Sequence, residues 1–220
     1  MKKKRQELKD RRERESIHKI DRVWPDSDVY ILGGGPSLNN ANLDLIHDKH
    51  VIGVNNAYTL GDWVDVCWFG DARWYGWHCE ALKSFKGMIY HCANRIKGQR
   101  IDRVKRVGRG KSQGLDRRPE YVAWNRSSGA SAINLAYHLG AKRIILLGFD
   151  MRKRIVDGEE RQNWHKDHKV VGAKANPYPR FLQVFRLINI DAKKLGVEIL
   201  NATPNSSIKD FPIVDLESVV

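Results

Sequence analysis

The chain has 220 residues, 41% of them hydrophobic and 30% charged, and a formal net charge of +13, enough apolar material for one core and one domain. A mean hydropathy of −0.55, the absence of any apolar run near the ~18 residues of a membrane span, and a charged N-terminus argue against membrane insertion and a secretory leader, and predict a cytoplasmic protein. Three cysteines, Cys67, Cys79 and Cys92, form no Cys-x-x-Cys pair, which argues against a disulfide framework or thiolate metal site and for buried, reduced thiols.

The charge is segregated. Residues 1–24 hold ten Lys/Arg against five Asp/Glu, and residues 95–118 hold ten against two, surpluses that account for the whole net charge. The first segment reads as a flexible basic arm preceding a single domain over 25–220. From Asp28 the text changes: Val29–Leu32 is a short apolar run ending in three glycines, as a buried parallel strand entering a tight turn would be. The runs 50–54 and 64–69 predict two more strands, ending at Asn55-Asn56 and Gly70-Asp71. Residues 95–118 contain four glycines and isolated Ile and Val, which predicts a long loop. Its cations Arg95, Lys97, Arg100, Arg103, Lys105, Arg106, Arg109 and Lys111 are the candidate contacts to a polyanion, nucleic acid or an anionic glycan.

Ser127-Ser128-Gly129 then opens a helix with Ala132, Leu135, Ala136 and Leu139 on one face and Gly140 as its C-cap. Ile144–Leu147 is a strand ending at Gly148-Phe149-Asp150, and a polar segment at 151–176 reads as a lid containing His165 and His168. Apolar positions over 178–195 predict a helix that Gly196 breaks, and 197–200 a last strand. Alternating strands and helices predict an α/β, Rossmann-like, doubly wound and mainly parallel sheet with helices on both faces.

In such sheets ligands bind beyond the carboxyl ends of the strands. The corners Gly33-Gly34-Gly35-Pro36-Ser37, Asn55-Asn56, Asp71, Ser127-Ser128-Gly129 and Asp150 are therefore the candidate nucleotide site. Neither common phosphate-loop pattern is complete: Leu38 stands where the dinucleotide fingerprint needs glycine, and Lys105 stands where a loop ending in Gly110-Lys111-Ser112 would need one. His165 and His168 are candidate proton-transfer groups. Their spacing with Asp167 and Asp150 permits a metal, but no third His or Cys supports one, so no metal is assigned. Trp68, Trp74, Trp77 and Tyr75 around Asp71 read as core and rim packing rather than a base-stacking platform.

Taken in order, Gly33-Gly34-Gly35-Pro36-Ser37-Leu38, Val54-Asn55-Asn56, Phe69-Gly70-Asp71, Ser127-Ser128-Gly129, Leu147-Gly148-Phe149-Asp150, the histidine segment and Pro204-Asn205-Ser206 resemble the bacterial lipooligosaccharide sialyltransferases. Their wider relatives include small phage-encoded proteins and the MptE-like 6-hydroxymethylpterin diphosphokinases. The likeness covers roughly residues 28–207, with a gap over the basic segment. It implies that Gly33, Gly34, Gly35, Asn55, Asp71, Ser127, Ser128 and Gly129 hold a nucleotide-sugar donor. His165, with His168 as its rival, would deprotonate an acceptor hydroxyl. Gly34 stands where the family turn usually carries Asn, and Arg152, Lys153 and Arg154 stand where tyrosines would meet the donor phosphate. Arg152 and Arg154 are thus expected to neutralise the leaving group. The expectation is a glycosyltransferase that needs no cofactor and has a polyanionic acceptor, in its sharpest form a phage DNA-modifying enzyme. The alternatives are a diphosphokinase in which Asp71 and Asp150 hold magnesium, and a non-catalytic nucleic-acid-binding protein on the same scaffold.

Overall fold

A computed structural model describes residues 17–94, 96, 101–166 and 176–220. The protein is α/β, with a wholly parallel seven-stranded central sheet. In spatial order its strands are β11 (Glu198–Asn201), β8 (Arg143–Leu147), β1 (Asp28–Leu32), β2 (His50–Val54), β3 (Val66–Phe69), β4 (Met88–His91) and β5 (Val104–Arg106). The chain walks outward from β1 to β5, then crosses back to lay β8 on the other side of β1. The segments following β1 and β8 therefore leave in opposite directions and open a crevice at the carboxyl end of the sheet.

The central strands are continuous apolar runs because both faces are covered. On one face Ile31, Ile52, Val66, Trp68 and Ile144 pack against α2 (Ser128–Leu139) and α4 (Phe185–Lys194). On the other, Tyr30, Leu32, Cys67, Phe69 and Ile145 meet Ile46, Leu82 and residues of α1 (Ala72–His78). The connections on this second face are short, so single 3-10 turns supply much of the cover.

The caps of α2 are as the sequence predicts. The Ser127 side chain accepts from the Ala130 amide, and Gly140, at φ 115°, donates to the Ala136 and Tyr137 carbonyls. A Cβ at Gly140 would meet the Trp24 carbonyl oxygen at 2.7 Å, so this left-handed corner also admits the N-terminal segment. The three cysteines are free and buried, and burial pushes the Cys92 thiol up to about 11.

Three segments depart from the sequence reading. Residues 101–118 are a loop only in part: β5 pairs with β4 at the sheet edge, β6 (Gly108–Arg109) pairs with β7 (Tyr121–Val122), and Val107 and Leu115 are buried, while 110–118 carries no helix or strand. An edge strand needs few apolar side chains, so isolated valines among cations suffice. The predicted helix over 178–195 is two helices, α3 (Tyr178–Leu182) and α4, with Leu187 and Ile190 on its outer side 42% and 39% exposed. Residues 17–24, read as part of the arm, are docked. His18, Ile20 and Trp24 donate main-chain bonds to the carbonyls of Arg106, Pro119 and Leu139, at 2.7, 2.9 and 2.8 Å, and Ile20 and Trp24 are buried. A two-stranded unit of β9 (Arg154–Val156) and β10 (Glu159–Arg161) stands apart from the main sheet. Among the described residues no helix is long and apolar enough to cross a membrane.

Docking of residues 17–24 makes a direct prediction. Ile20→Ala should lower unfolding stability in urea by about 2–5 kcal/mol, as for other buried truncations; a loss below about 0.5 kcal/mol, the scale of a surface change, would show that the segment is not packed.

Candidate functional site

A cavity of about 480 Å³ opens at the crevice between β1 and β8. Of the residues predicted from sequence it brings together Gly33, Gly34, Gly35, Asn55, Asn56, Asp71, Ser127, Ser128, Gly129, Asp150 and His165. Pro36 and Ser37 lie just behind it, at the start of the 3-10 turn Pro36–Asn40. His168 lies outside the described residues, as do Arg95, Lys97 and Arg100.

The glycine turn is shaped by its neighbour strand. Gly33 and Gly35 donate to the carbonyls of Leu147 and Gly148, each at 2.8 Å, and Gly34 accepts from the Trp164 amide at 3.0 Å. A Cβ at Gly33 would meet the Gly148 oxygen at 2.6 Å, and one at Gly35 would collide with the Asp150 carboxylate. Asp150 is 1% exposed. It accepts from the Ser37 amide at 3.3 Å, from Ser37 Oγ at 2.7 Å and from Arg154 Nε. A carboxylate thus already sits at the start of the 3-10 turn, where a phosphate would be held. Of the amides at 33, 34, 35 and 37, only that of Gly34 has no partner among the described residues.

The N-terminus of α2 is different. Ser127 caps Ala130, and the Ser128 and Gly129 amides, which end on the cavity, bond to nothing among the described residues. Just before the cap, Asn125 and Arg126 are both left-handed, at φ 51° and 58°. Two consecutive non-glycine residues in this region are costly, and such backbone clusters at ligand sites. The pair delivers Arg126 to the cavity rim.

Three cations line the cavity that the sequence reading did not single out: Arg73, Arg126 and Arg180. Arg73 is committed to Asp71, the N-cap of α1, whose carboxylate it engages through Nε at 3.2 Å and Nη2 at 2.7 Å. Those hydrogen bonds, chiefly the side-chain ones, hold the Asp71 carboxyl below its ordinary range. Arg126 and Arg180 are exposed and meet no carboxylate among the described residues. Arg126 has no local sequence signal beyond its place before a Ser cap, and Arg180 none.

Arg152 and Arg154 do not fill the role expected of them. Arg154 is turned onto Asp150 and the Pro204 carbonyl, and Arg152 is exposed away from the cavity. The basic segment is corrected in part as well. Arg103 donates to the carbonyls of Gly87 at 2.8 Å, Leu82 at 2.7 Å and Phe85. Arg109 donates to Cys92 at 2.6 Å and Gly70 at 2.7 Å, with its guanidinium 3.8 Å over the Trp124 ring. Lys105 lies 5.3 Å over Tyr90, Lys111 lies 3.7 Å from Asp191, and Arg106 is half-buried on β5. Arg103 and Arg109 spend guanidinium N–H groups on main-chain carbonyls, Arg103 while remaining exposed and Arg109 half-buried.

Aromatic residues form much of the wall. Trp74 is 6% and Trp77 39% exposed, and Trp124, Phe149, Tyr178 and Phe181 complete the lining, so Trp77 is rim whereas Trp68 and Tyr75 are core. Asn56 connects this wall to the imidazole: its Oδ1 accepts from Trp74 Nε1 at 2.7 Å and its Nδ2 stands 3.4 Å from His165 Nδ1. Neighbouring Asn55 is left-handed at φ 52°, and its Oδ1 is buried without a donor among the described residues.

Magnesium does not suit Asp71 and Asp150, because Arg73 occupies one carboxylate and Ser37 with Arg154 the other. Among the described residues no group of three His, Cys, Asp or Glu could hold a metal ion. No family model, no curated protein and no solved structure matches the chain.

Asp150→Ala should destabilise the fold by about 3–5 kcal/mol, because it strands the Arg154 guanidinium and the Ser37 donors. Calorimetric unfolding checks this; a cost under about 1 kcal/mol would mean that the carboxylate does not hold the turn.

Proposed function

We propose that the protein transfers a glycosyl group from a nucleotide sugar, with a polyanion, nucleic acid or an anionic glycan, as its acceptor. The observation that carries this reading is one cavity holding an imidazole, a helix N-terminus with two amides and two arginines that meet, among the described residues, no acceptor and no carboxylate respectively, and aromatic walls. A helix start and arginines are the groups that hold phosphate oxygens. The aromatic wall suits a base or the apolar face of a sugar. The buried Asn55 Oδ1 offers an acceptor to a ligand N–H or O–H, and so would lose its desolvation cost on binding.

In this reading the donor phosphate lies at Ser128 and Gly129 between Arg126 and Arg180, not in the glycine turn, whose anion position Asp150 fills. As the anomeric C–O bond breaks, its electron pair goes to the phosphate, where fixed positive charge stabilises it most in the transition state. The acceptor oxygen forms the new bond and gives up its proton, and His165 is the side chain placed to assist. The order of motifs that resembles the sialyltransferases supports CMP as the nucleotide. The commitment of Asp71 and Asp150 to arginines weighs against a magnesium-dependent diphosphokinase.

Thermal shift across CMP, UDP, ATP and a pterin tests this reading. A pyrimidine nucleotide at 100 times its Kd should add about 2.7 kcal/mol of apparent stability, a rise of roughly 5–10 °C for a chain of this size. Arg126→Ala and Arg180→Ala should each weaken that binding by about tenfold to a hundredfold, the range for a charged hydrogen bond. His165→Ala should retain nucleotide binding and lose turnover. Stabilisation by ATP or pterin alone, or binding indifferent to Arg126, would sink the proposal.

A further inference from the structure

A guanidinium laid over an indole is attracted by the ring and holds it in place. Arg109 does this to Trp124, with its central carbon 3.8 Å from the ring centroid. It is itself fastened, through Nε to the Cys92 carbonyl at 2.6 Å and through Nη2 to the Gly70 carbonyl at 2.7 Å. Trp124 is half-buried and lines the cavity, whereas Arg109 does not, so the guanidinium stands behind the ring. Among the described residues no other ring or cation lies against Trp124. The other aromatic walls are placed differently. Trp74 and Phe149 are 6% and 1% exposed and belong to the core, Trp77 stands at the rim, and the Tyr178 hydroxyl donates to the Gln162 carbonyl at 3.4 Å.

Strands β1 to β4 lie side by side, roughly 4.8 Å apart. His165 sits over the corners after β1 and β2, because Trp164 donates to the Gly34 carbonyl and Asn56 Nδ2 is 3.4 Å from the His165 ring. Trp124 sits over the corners after β3 and β4, because the arginine behind it joins Gly70 to Cys92. It also adjoins the start of α2: a Cβ at Gly70 would meet Trp124 Cζ3 at 2.2 Å and Ser128 Oγ at 3.1 Å. A donor whose phosphate rests on the Ser128 and Gly129 amides, with its anomeric carbon toward His165, therefore has its nucleoside on the side where Trp124 stands.

We infer that Trp124 is the platform on which the nucleobase stacks, and that Arg109 is a positioning residue that holds the platform without touching the ligand. This rests on the nucleotide reading proposed above. A base offers a flat π-face to the indole, and such stacking contributes affinity whatever the base. A ring already fixed from behind loses little side-chain freedom when the ligand arrives. Trp124, Arg126, Ser128 and Gly129 then form one continuous segment that meets base and phosphate in turn.

The test is calorimetric titration of the full chain with CMP, AMP and ribose 5-phosphate, which keeps sugar and phosphate but has no base. The native protein should bind its better nucleotide about tenfold to a hundredfold more tightly than ribose 5-phosphate, the range for one base stacked on an aromatic side chain. Trp124→Leu should abolish that difference and leave ribose 5-phosphate binding unchanged. Trp124→Phe keeps a smaller ring, should retain part of the difference, and serves if the leucine variant does not fold. Arg109→Lys keeps the charge but not the planar fork, and should weaken the nucleotide several-fold while sparing ribose 5-phosphate. A nucleotide preference unchanged in whichever Trp124 variant folds, or an equal loss of both ligands, overturns the platform. Arg109→Lys that weakens both ligands alike, or neither, removes the positioning role. A preference that depends on Trp124 in a protein that turns over no nucleotide sugar leaves the platform standing and removes the glycosyl transfer. A native protein that binds neither nucleotide removes both.

Discussion

A single buried carboxylate organises the carboxyl end of the sheet. Asp150 follows β8, is 1% exposed, and receives the Ser37 amide and hydroxyl and the Arg154 guanidinium. An uncompensated charge at such a place would cost several kcal/mol, so these donors are obligatory. The remaining geometry follows from them. Ser37 must come close, so the turn before it runs against the Gly148 corner, and only glycine fits at 33 and 35. On the far side the Asp150 carbonyl accepts from Ser207 at 2.9 Å and the Phe149 carbonyl from Ser206 Oγ at 2.6 Å, which ties the segment after β11 to the same point. Gly35 is thus required by a protein carboxylate and Gly33 by the Gly148 carbonyl, and the helix start at Ser128 is left as the open anion position.

The arginines divide by what lies near them. Arg103 and Arg109 reach carbonyls that chain ends and corners leave without partners, and such buried oxygens need donors. Arg109 joins the corner after β3 to the end of β4 and stacks on Trp124, so it shapes the cavity wall without entering the cavity. Arg126 and Arg180 find no such oxygen and no carboxylate among the described residues. A net charge of +13 therefore overstates the charge offered to a partner.

Much of this was legible in the sequence. The β1, β2, β3 and β8 strands are apolar runs closed by polar corners, and a strand covered on both faces has to read that way. Ser127 and Gly140 mark the ends of α2 because orphan amides and carbonyls need those residue types. The corners then predicted ten of the residues that line the cavity. The misses share a cause: their signals are tertiary. Val104 and Val107 look like loop residues until β4 gives them a partner, and Ile20 and Trp24 look like part of a charged arm until the core beneath them is known. The left-handed pair at Asn125 and Arg126 contains no glycine to announce it. Arg154 was read as a site cation because nothing in sequence reveals that its charge is consumed by a residue four positions earlier.

The Asn55-Asn56 corner shows how far identical residue types can diverge. Both were read as nucleotide contacts because both follow a parallel strand. The left-handed backbone at Asn55 separates their side chains: Asn55 keeps a buried acceptor that the described fold does not use, and Asn56 spends both ends of its carboxamide on Trp74 and His165. The Trp74 indole can only donate, so it fixes which end of the Asn56 carboxamide is oxygen. Residue type alone makes His165 a candidate base. The Asn56 amide that stands against it comes from the corner after β2, a relation that no spacing in the chain encodes.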